Sequence, residues 1–303
     1  MSVSFHEGRA PNGPDIIRSG ALNSAALHRL RSAMRRSPSA AAGTAVLVVI
    51  VLVASLGPAF LTVDPMALNP RLRLQPASAQ HWFGTDMFGR DVWARVVYGA
   101  RTSMFVGASV AFLSVVVGLA IGLVAGYVRI IDAVVMRIMD GLMSIPGVLL
   151  AIAMIAVSGA SLTTLIVAIT IPDVPRVVRL VRSIVLSVRE EPYVEGAIAA
   201  GTPVLLVLVR HVLPNTVAPL VVLGSYLASS AVLVEAGLSF LGAGLPPEIP
   251  SWGNMIAEGR AYLQIRPELV FVPGVALALA ILSVNVLGDG LRDEFDPRRK
   301  QRL

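Results

Sequence analysis

The feature that most constrains this chain is a series of five long stretches without a single Asp, Glu, Lys or Arg side chain. They cover residues 37–63, 102–128, 141–172, 211–234 and 269–288. An α-helix rises about 1.5 Å per residue, so roughly 20 apolar residues cross the hydrocarbon core of a bilayer. Charged side chains make up 15% of the 303 residues, against about 25% in soluble domains. The sequence therefore predicts an all-α integral membrane protein and argues against a soluble globular domain.

The third of these stretches is too long for one membrane span. Ser158-Gly159-Ala160-Ser161 inside it is a turn signal. Division at that turn, with an amphipathic start near Ile131, gives six predicted membrane helices. They lie at about residues 40–62, 102–128, 131–157, 162–186, 214–236 and 268–289. We therefore predict six spans within a transmembrane domain of residues 37–298.

The distribution of basic side chains predicts how these helices are oriented. With the N-terminus in the cytoplasm, 18 of the 25 Lys and Arg residues fall on the inner side and 7 on the outer side. Inner loops of membrane proteins carry an excess of such residues. We expect both termini in the cytoplasm, with tails at residues 1–36 and 299–303. An outer loop at 64–101 and a cytoplasmic loop at 187–213 are both longer than simple connections.

Several kinds of chemistry are absent from the sequence. It has no cysteine, no G-x-S-x-G motif, and four histidines without the paired spacing of metal ligands. Lys300 is the only lysine, so the chain has no G-x-x-x-x-G-K-[ST] loop for nucleotide phosphates. We expect no catalytic residue, no metal site and no cofactor site in this chain. Transport is the function class that remains.

The cytoplasmic loop carries a pattern of small and apolar residues that is typical of a helix lying outside the membrane. Small side chains and a glycine allow another surface to approach closely. An ordinary amphipathic helix at the membrane surface is an equally good interpretation of the pattern alone. The residues that we select as a candidate docking surface are Glu195, Gly196, Ala197, Gly201, His211, Leu213, Pro214 and Asn215.

The outer loop contains glycines interleaved with charged residues. The glycines can adopt positive φ angles, and the charged side chains can pair or cap helices. We expect these residues to order the loop, with substrate contact as the less favoured alternative. They are Gly84, Asp86, Gly89, Arg90 and Asp91.

Two carboxylates fall within predicted spans and are candidates for the translocation pathway. Asp173 lies near the middle of the fourth span between Pro172 and Pro175, and charged groups at that depth usually face a cavity or a partner. A pair with Arg176, one turn further on, is an equally good interpretation. Glu235 lies near the outer end of the fifth span, where we expect it to anchor the outer turn; lining the mouth of the pathway is the alternative.

Residues 195–215 resemble the EAA loop of ABC importer permeases, which docks as a coupling helix into a cleft of the ATPase subunit. Gly196 departs from the family pattern, which usually has Ala at that position, but it is also small. The motifs at residues 84–91, 235–242 and 287–293 are similar to those of the C-type permease of dipeptide, oligopeptide and nickel importers. They read G-T-D-x-x-G-R-D, E-A-G-L-S-F-L-G and L-G-D-G-L-R-D.

The resemblance implies a type I ABC importer permease fold in a bacterial or archaeal cytoplasmic membrane. It implies three kinds of protein partner besides membrane lipid: a homologous B-type permease, two ABC ATPase subunits and an extracytoplasmic substrate-binding protein, with no nucleic acid. ATP and Mg²⁺ would be bound by the ATPase subunits. The cargo would be a peptide or a related small solute such as a nickel chelate. The alternative function is an ATP-independent secondary transporter or channel, which would not need a docking helix.

Overall fold

The computed structural model describes residues 38–61 and 64–295. The tails predicted at residues 1–36 and 299–303 lie outside the described residues. Within the described ranges the chain is helical and forms no β-strand beyond one isolated bridge between Thr85 and Asp91. The all-α prediction is therefore confirmed.

The helices follow one another with short connections, except in the outer loop. They are α1 (Pro38–Phe60), α2 (Val92–Tyr127), α3 (Arg129–Ser144), α4 (Gly147–Ser158), α5 (Leu162–Arg189), α6 (Pro192–Ala199), α7 (Val204–Val207), α8 (Leu213–Phe240), α9 (Trp252–Gly259) and α10 (Glu268–Phe295). A π-helical turn at Leu208–Val212 joins α7 to α8, and single 3₁₀ turns lie at Pro70–Leu72 and Arg260–Tyr262.

Four helical segments in the described residues are long and apolar enough to cross a membrane, namely α1, α2, the continuous α7–α8 segment and α10. A fifth is added if α3 and α4 together make one crossing. Helix α5 has the length of a span, but charged side chains interrupt its apolar surface. They are Asp173, Arg176, Arg179 and Arg182. Six spans therefore stay a prediction.

The third predicted span, at residues 131–157, is wrong as a single continuous helix. The chain breaks between α3 and α4, and the two helices meet at an angle of 87°. Pro146 explains the break, because it lacks an N–H and its ring forces the preceding residue out of the helical region. Ile145 accordingly has φ −95° and ψ 128°.

Helix α2 begins at Val92, well before the predicted start of the second span near residue 102. Asp91 caps it, because its side chain accepts a hydrogen bond of 2.7 Å from the backbone N–H of Ala94. The additional helical turns precede the apolar stretch and carry Arg95 into the fold. The helix is therefore longer than its apolar sequence.

Helices α2 and α5 form the most extensive helix pair of the structure. Three glycines of α2, spaced one turn apart, face three valines of α5. A Cβ atom added at Gly118, Gly122 or Gly126 would lie 2.4, 2.7 or 2.6 Å from the Cβ of the facing valine. The facing valines are Val177, Val181 and Val185. Small residues let helix backbones approach closely in a membrane, where the hydrophobic effect drives little association.

The other helices are arranged around this pair. Helix α8 packs against α2 and α5, α10 packs against α8, and α4 covers the first half of α5. Helix α1 is peripheral and exposes apolar side chains such as Val49 and Leu56. The core between α2, α5 and α8 extends into the loop predicted to be cytoplasmic, whereas the predicted outer loop packs against α2, α9 and α10.

Candidate functional site

The cytoplasmic loop folds as two short helices, α6 and α7, separated by a glycine turn. Val194 and Val207 are fully buried and pack into the same apolar cluster as Val185 of α5. Gly201 ends α6 with φ +80°. The backbone N–H groups of Gly201 and Thr202 donate to the carbonyls of Ile198 and Ala197 at 2.9 and 3.1 Å. This arrangement is a Schellman motif, in which glycine is favoured because the left-handed conformation is strained for other residues.

The opposite side of the loop exposes an apolar surface, which we call the docking face. Its members are Tyr193, Ile198, Val204, Leu205, Leu206 and Val209. Leu205 is the most exposed, at 73%. Glu195 and Gly196 are also exposed, and a Cβ atom at Gly196 would meet no other group in the part of the chain that the structure describes. A contiguous exposed apolar surface of this kind is typical of a protein or membrane contact.

A small cluster of side chains connects α6 to the start of α8. Asn215 Nδ2 donates to the carbonyl of His211 at 2.6 Å and to Tyr193 Oη at 3.4 Å. The rings of Tyr193 and His211 have centroids 5.9 Å apart. The sequence analysis selected His211 and Asn215 but missed Tyr193. An aromatic residue directly after Pro192, at the start of a surface helix, was the available signal.

The π-helical turn places Leu213 and Pro214 at the start of α8. The N–H of Leu213 donates to the carbonyl of Leu208, five residues earlier. Pro214 has no N–H to donate, and a π turn is a common local adjustment where the ordinary helical ladder is interrupted. The loop thus passes directly into the long apolar helix α8 without an intervening irregular segment.

A separate cavity of about 270 Å³ lies at the break between α3 and α4. The residues at its polar end are Asp173 and Arg176 of α5 and Ser230 of α8. Asp173 is only 9% exposed, and its Oδ1 accepts a 3.3 Å contact from Arg176 Nη1. Asp173 therefore lines a cavity and also pairs with Arg176; its place on a translocation pathway stays a prediction.

Glu235 does not lie in that cavity. Its side chain is fully buried between α2, α8 and α9, where three serine hydroxyls donate to its two oxygens. Ser251 and Ser239 contact Oε1 at 2.8 and 3.1 Å, and Ser103 contacts Oε2 at 3.4 Å. Ser251 also caps α9 through the N–H of Asn254. This geometry is that of an anchor for the outer end of α8.

We expect Glu235→Ala to lower the free energy of unfolding by about 3 kcal/mol, because it removes the acceptor of three buried hydroxyls and leaves a cavity. Glu235→Gln keeps the shape and one acceptor and should cost about 1 kcal/mol. Thermal unfolding of the protein in detergent measures both. Glu248→Ala removes an exposed carboxylate and is the matched control. Equal stabilities of Glu235→Ala and Glu248→Ala would contradict the anchoring role.

The outer loop is organised by a cluster of four charged side chains, three buried and one partly buried, which we call the outer charge cluster. Asp86 Oδ2 accepts hydrogen bonds from Arg90 Nε at 2.6 Å and from Arg95 Nη1 at 2.7 Å. Glu258 Oε2 accepts from Arg90 Nη2 at 2.6 Å and from Arg95 Nη1 at 2.8 Å. Two acids and two bases thus connect the loop and α2 to α9. The sequence analysis selected Asp86 and Arg90 but missed Arg95 and Glu258.

The remaining residues of the outer motif shape the turns around this cluster. Gly84 and Gly89 have φ +73° and +76°, and a Cβ atom at Gly89 would lie 1.9 Å from the carbonyl oxygen of Asn69. Asp91 Oδ2 lies 2.7 Å from His81 Nδ1, in addition to capping α2. None of these five motif residues lies in the cavity with Asp173.

Across the described ranges, no group of three or more His, Asp or Glu side chains is arranged to hold a metal ion. Three separate features are candidates for function: the docking face on the loop at residues 187–213, the cavity beside Asp173, and the outer charge cluster.

Comparison with known proteins places the chain in a family. Residues 114–301 match the sequence profile described as a binding-protein-dependent transport system inner membrane component. A probable peptide ABC transporter permease of Sinorhizobium fredii is 52% identical over 275 residues, which cover 91% of this chain and 94% of that protein. A dipeptide transport system permease of Alkalihalophilus pseudofirmus is 40% identical over 88% of each chain.

Two further similarities extend this result. A glutathione transport system permease of Pectobacterium atrosepticum is 39% identical over 76% of each chain. Among solved structures, a chain of the methionine ABC transporter MetNI in an inward-facing conformation matches with a TM-score of 0.53. That match has 22% identity and covers 66% of this chain and 95% of the other. At that identity it supports the permease fold alone.

Proposed function

The chain belongs to the family of binding-protein-dependent transport system inner membrane components, and from this premise we propose that it forms half of the translocation pathway of an ATP-driven peptide importer. It is a multi-pass inner-membrane permease subunit of an ABC transporter. Permease subunits of this family are not themselves catalytic. The relatives are named for peptides, dipeptides and glutathione, and we propose a small peptide as the cargo of this chain.

We propose that the chain crosses the membrane six times with both termini in the cytoplasm. Helix α5 would be the sixth membrane crossing, although its charged side chains keep it from being recognised as a span by composition alone. Its buried valine face packs along the glycines of α2, and a helix held in this way does not need a uniformly apolar surface. Asp173 and the arginines that follow it would face protein or a water-filled cavity rather than lipid.

We propose that the docking face binds an ATPase subunit and couples its movement to the spans. The exposed apolar side chains around Gly201, together with Glu195, Gly196 and Ala197, would form the contact. His211, Leu213, Pro214 and Asn215 would transmit movement, because they join the loop to α8 without an intervening flexible linker. ATP and Mg²⁺ would be bound by two ATPase subunits and not by this chain.

The remaining partners follow from the same proposal. A homologous B-type permease would cover the exposed apolar helix surfaces that do not face lipid, and an extracytoplasmic substrate-binding protein would deliver the peptide to the outer surface. The outer charge cluster would give that surface a fixed shape, because it ties the loop at residues 64–91 to α9. Asp173 would lie on the pathway, whereas Glu235 would act as an anchor.

Reconstitution tests this function directly. We expect the chain to co-purify with an ATPase encoded beside it and, with its permease partner in lipid vesicles, to take up a labelled dipeptide only when ATP and the binding protein are both present. ADP in place of ATP is the matched control. Equal uptake with ATP and ADP would overturn the proposal and favour the ATP-independent secondary transporter or channel.

A further inference from the structure

The wall of the cavity at the break between α3 and α4 carries two charged side chains of opposite sign. Two opposite charges, Asp173 and Arg176, lie three residues apart on α5 and both line it. The rest of the wall is apolar apart from Ser230 on the facing helix α8. Charged groups at membrane depth are costly, so their presence on a cavity wall indicates a ligand or partner that uses them.

The two charges are only loosely joined to each other. Their single contact is monodentate and measures 3.3 Å, at the long end for an ion pair between a guanidinium and a carboxylate. By contrast, Arg182 on the same helix contacts both oxygens of Asp132 through two of its nitrogens. Asp173 Oδ2 has no hydrogen-bond partner among the described residues, and Arg176 has four further N–H donors. Both groups therefore keep capacity for a ligand.

The two side chains also differ in how they meet the cavity. The carboxylate of Asp173 is nearly buried, with 12% of its side chain exposed, whereas 47% of the Arg176 side chain is exposed. A cation can therefore approach Asp173 from the cavity while an anion reaches Arg176 at its open side. The cavity volume of about 270 Å³ is many times the space that one water molecule needs, so the cavity has room for a small ligand.

We propose that Asp173 and Arg176 form a binding site for a zwitterion, in which Asp173 takes the ammonium group and Arg176 takes the carboxylate group of a small peptide. The proposal rests on the proposed function, because it names the part of the cargo that this cavity recognises. When the ligand is bound, its two charges pair with Asp173 and Arg176. When the site is empty, Asp173 and Arg176 pair with each other. Each charge is then compensated in both states, which lowers the cost of holding it inside the membrane.

The test compares single and double neutralisation in the complete reconstituted transporter with saturating binding protein. The variants are Asp173→Asn, Arg176→Gln and the double variant, and the readout is the maximal rate of ATP-driven uptake of a labelled dipeptide. We expect each single variant to lower this rate about tenfold and the double variant to be at least as slow. The apparent affinity for the loaded binding protein should not change, because that protein docks elsewhere.

A purely structural pair predicts the opposite pattern. Neutralising one partner would leave the other charge uncompensated, and neutralising both would restore function. Recovery of the double variant to near the wild-type rate would therefore overturn the proposal. Loss of uptake in Asp173→Asn but not in Arg176→Gln would overturn it as well, because the site would then take a cation alone.

Two controls keep the result specific. Arg179→Gln removes an arginine of α5 that is similarly exposed and pairs with Asp140 outside the cavity, and we expect its rate to stay within about twofold of the wild type. If Asp173→Asn does not assemble, Asp173→Glu retains the charge and should keep most of the rate, whereas a loss like that of Arg176→Gln would contradict the site. Wild-type uptake that depends on ATP upholds the importer function whichever way the variants behave.

Discussion

We expect Gly201→Asp to reduce ATP-driven peptide uptake at least about 100-fold while the permease still inserts into the membrane. A Cβ atom at position 201 meets no other group within the described residues, so an aspartate side chain fits the loop itself. Asp and Asn are also the residues other than glycine that best tolerate the left-handed conformation found there. The variant therefore keeps its fold but carries a carboxylate in the middle of the docking face. Burying that charge against an ATPase would cost several kcal/mol, and 1.4 kcal/mol corresponds to tenfold in affinity.

Gly201→Asn is the matched control, because its side chain has nearly the same shape without the charge. We expect it to lower uptake less than about tenfold, through backbone strain and lost complementarity alone. Membrane extraction measures insertion, co-purification measures ATPase binding, and vesicle uptake measures coupling. Normal uptake by Gly201→Asp would refute the docking role of this face. Equal losses in both variants would assign the effect to the backbone at Gly201 rather than to an interface.

The behaviour of Gly201 illustrates which parts of the site a sequence can predict. The Schellman motif is local, since Ala197, Ile198 and Thr202 are its near neighbours, and the requirement for glycine follows from chain geometry. The apolar stretches are also local signals, and most of the described residues of each are helical. For the same reason the break at Pro146 was predictable from that residue. The prediction missed it because the turn signal at residues 158–161 accounted for the length of the stretch.

Other features arise only in the tertiary structure. Glu258 lies 163 and 168 residues after its partners Arg95 and Arg90, so no local pattern predicts their contact. The cavity beside Asp173 exists because the α3–α4 break leaves space between α5 and α8, and its shape cannot be obtained from periodicity. The first turns of α2 also depend on the outer charge cluster. Arg95 is buried in these turns, and its charge is compensated by two acids that are distant in sequence or in the preceding loop.

We expect Arg95→Met to lower the free energy of unfolding by about 3 kcal/mol, because it removes a buried base that two carboxylates share. Arg95 is 2% exposed, and its Nη1 atom donates to both Asp86 and Glu258. Its removal leaves the buried carboxylate of Asp86 and the partly buried carboxylate of Glu258 with Arg90 as their one remaining base in the cluster. Repulsion between them should release the loop from α9, so that thermal unfolding in detergent moves to lower temperature and a protease cleaves the loop faster.

The double variant Arg95→Met, Glu258→Leu separates the charge imbalance from the loss of contacts. It returns the cluster to one acid and one base, Asp86 and Arg90, which keep their 2.6 Å contact. We expect it to recover at least half of the lost stability, because a buried pair replaced by apolar groups is often neutral in its effect. Arg73→Met is the surface control, since Arg73 is exposed and donates only to Tyr262 Oη at 3.2 Å in the described structure. If Arg95→Met is no less stable than Arg73→Met, the outer charge cluster does not hold the loop. The fixed outer surface that we propose for the binding protein would then depend on the turns at Gly84 and Gly89.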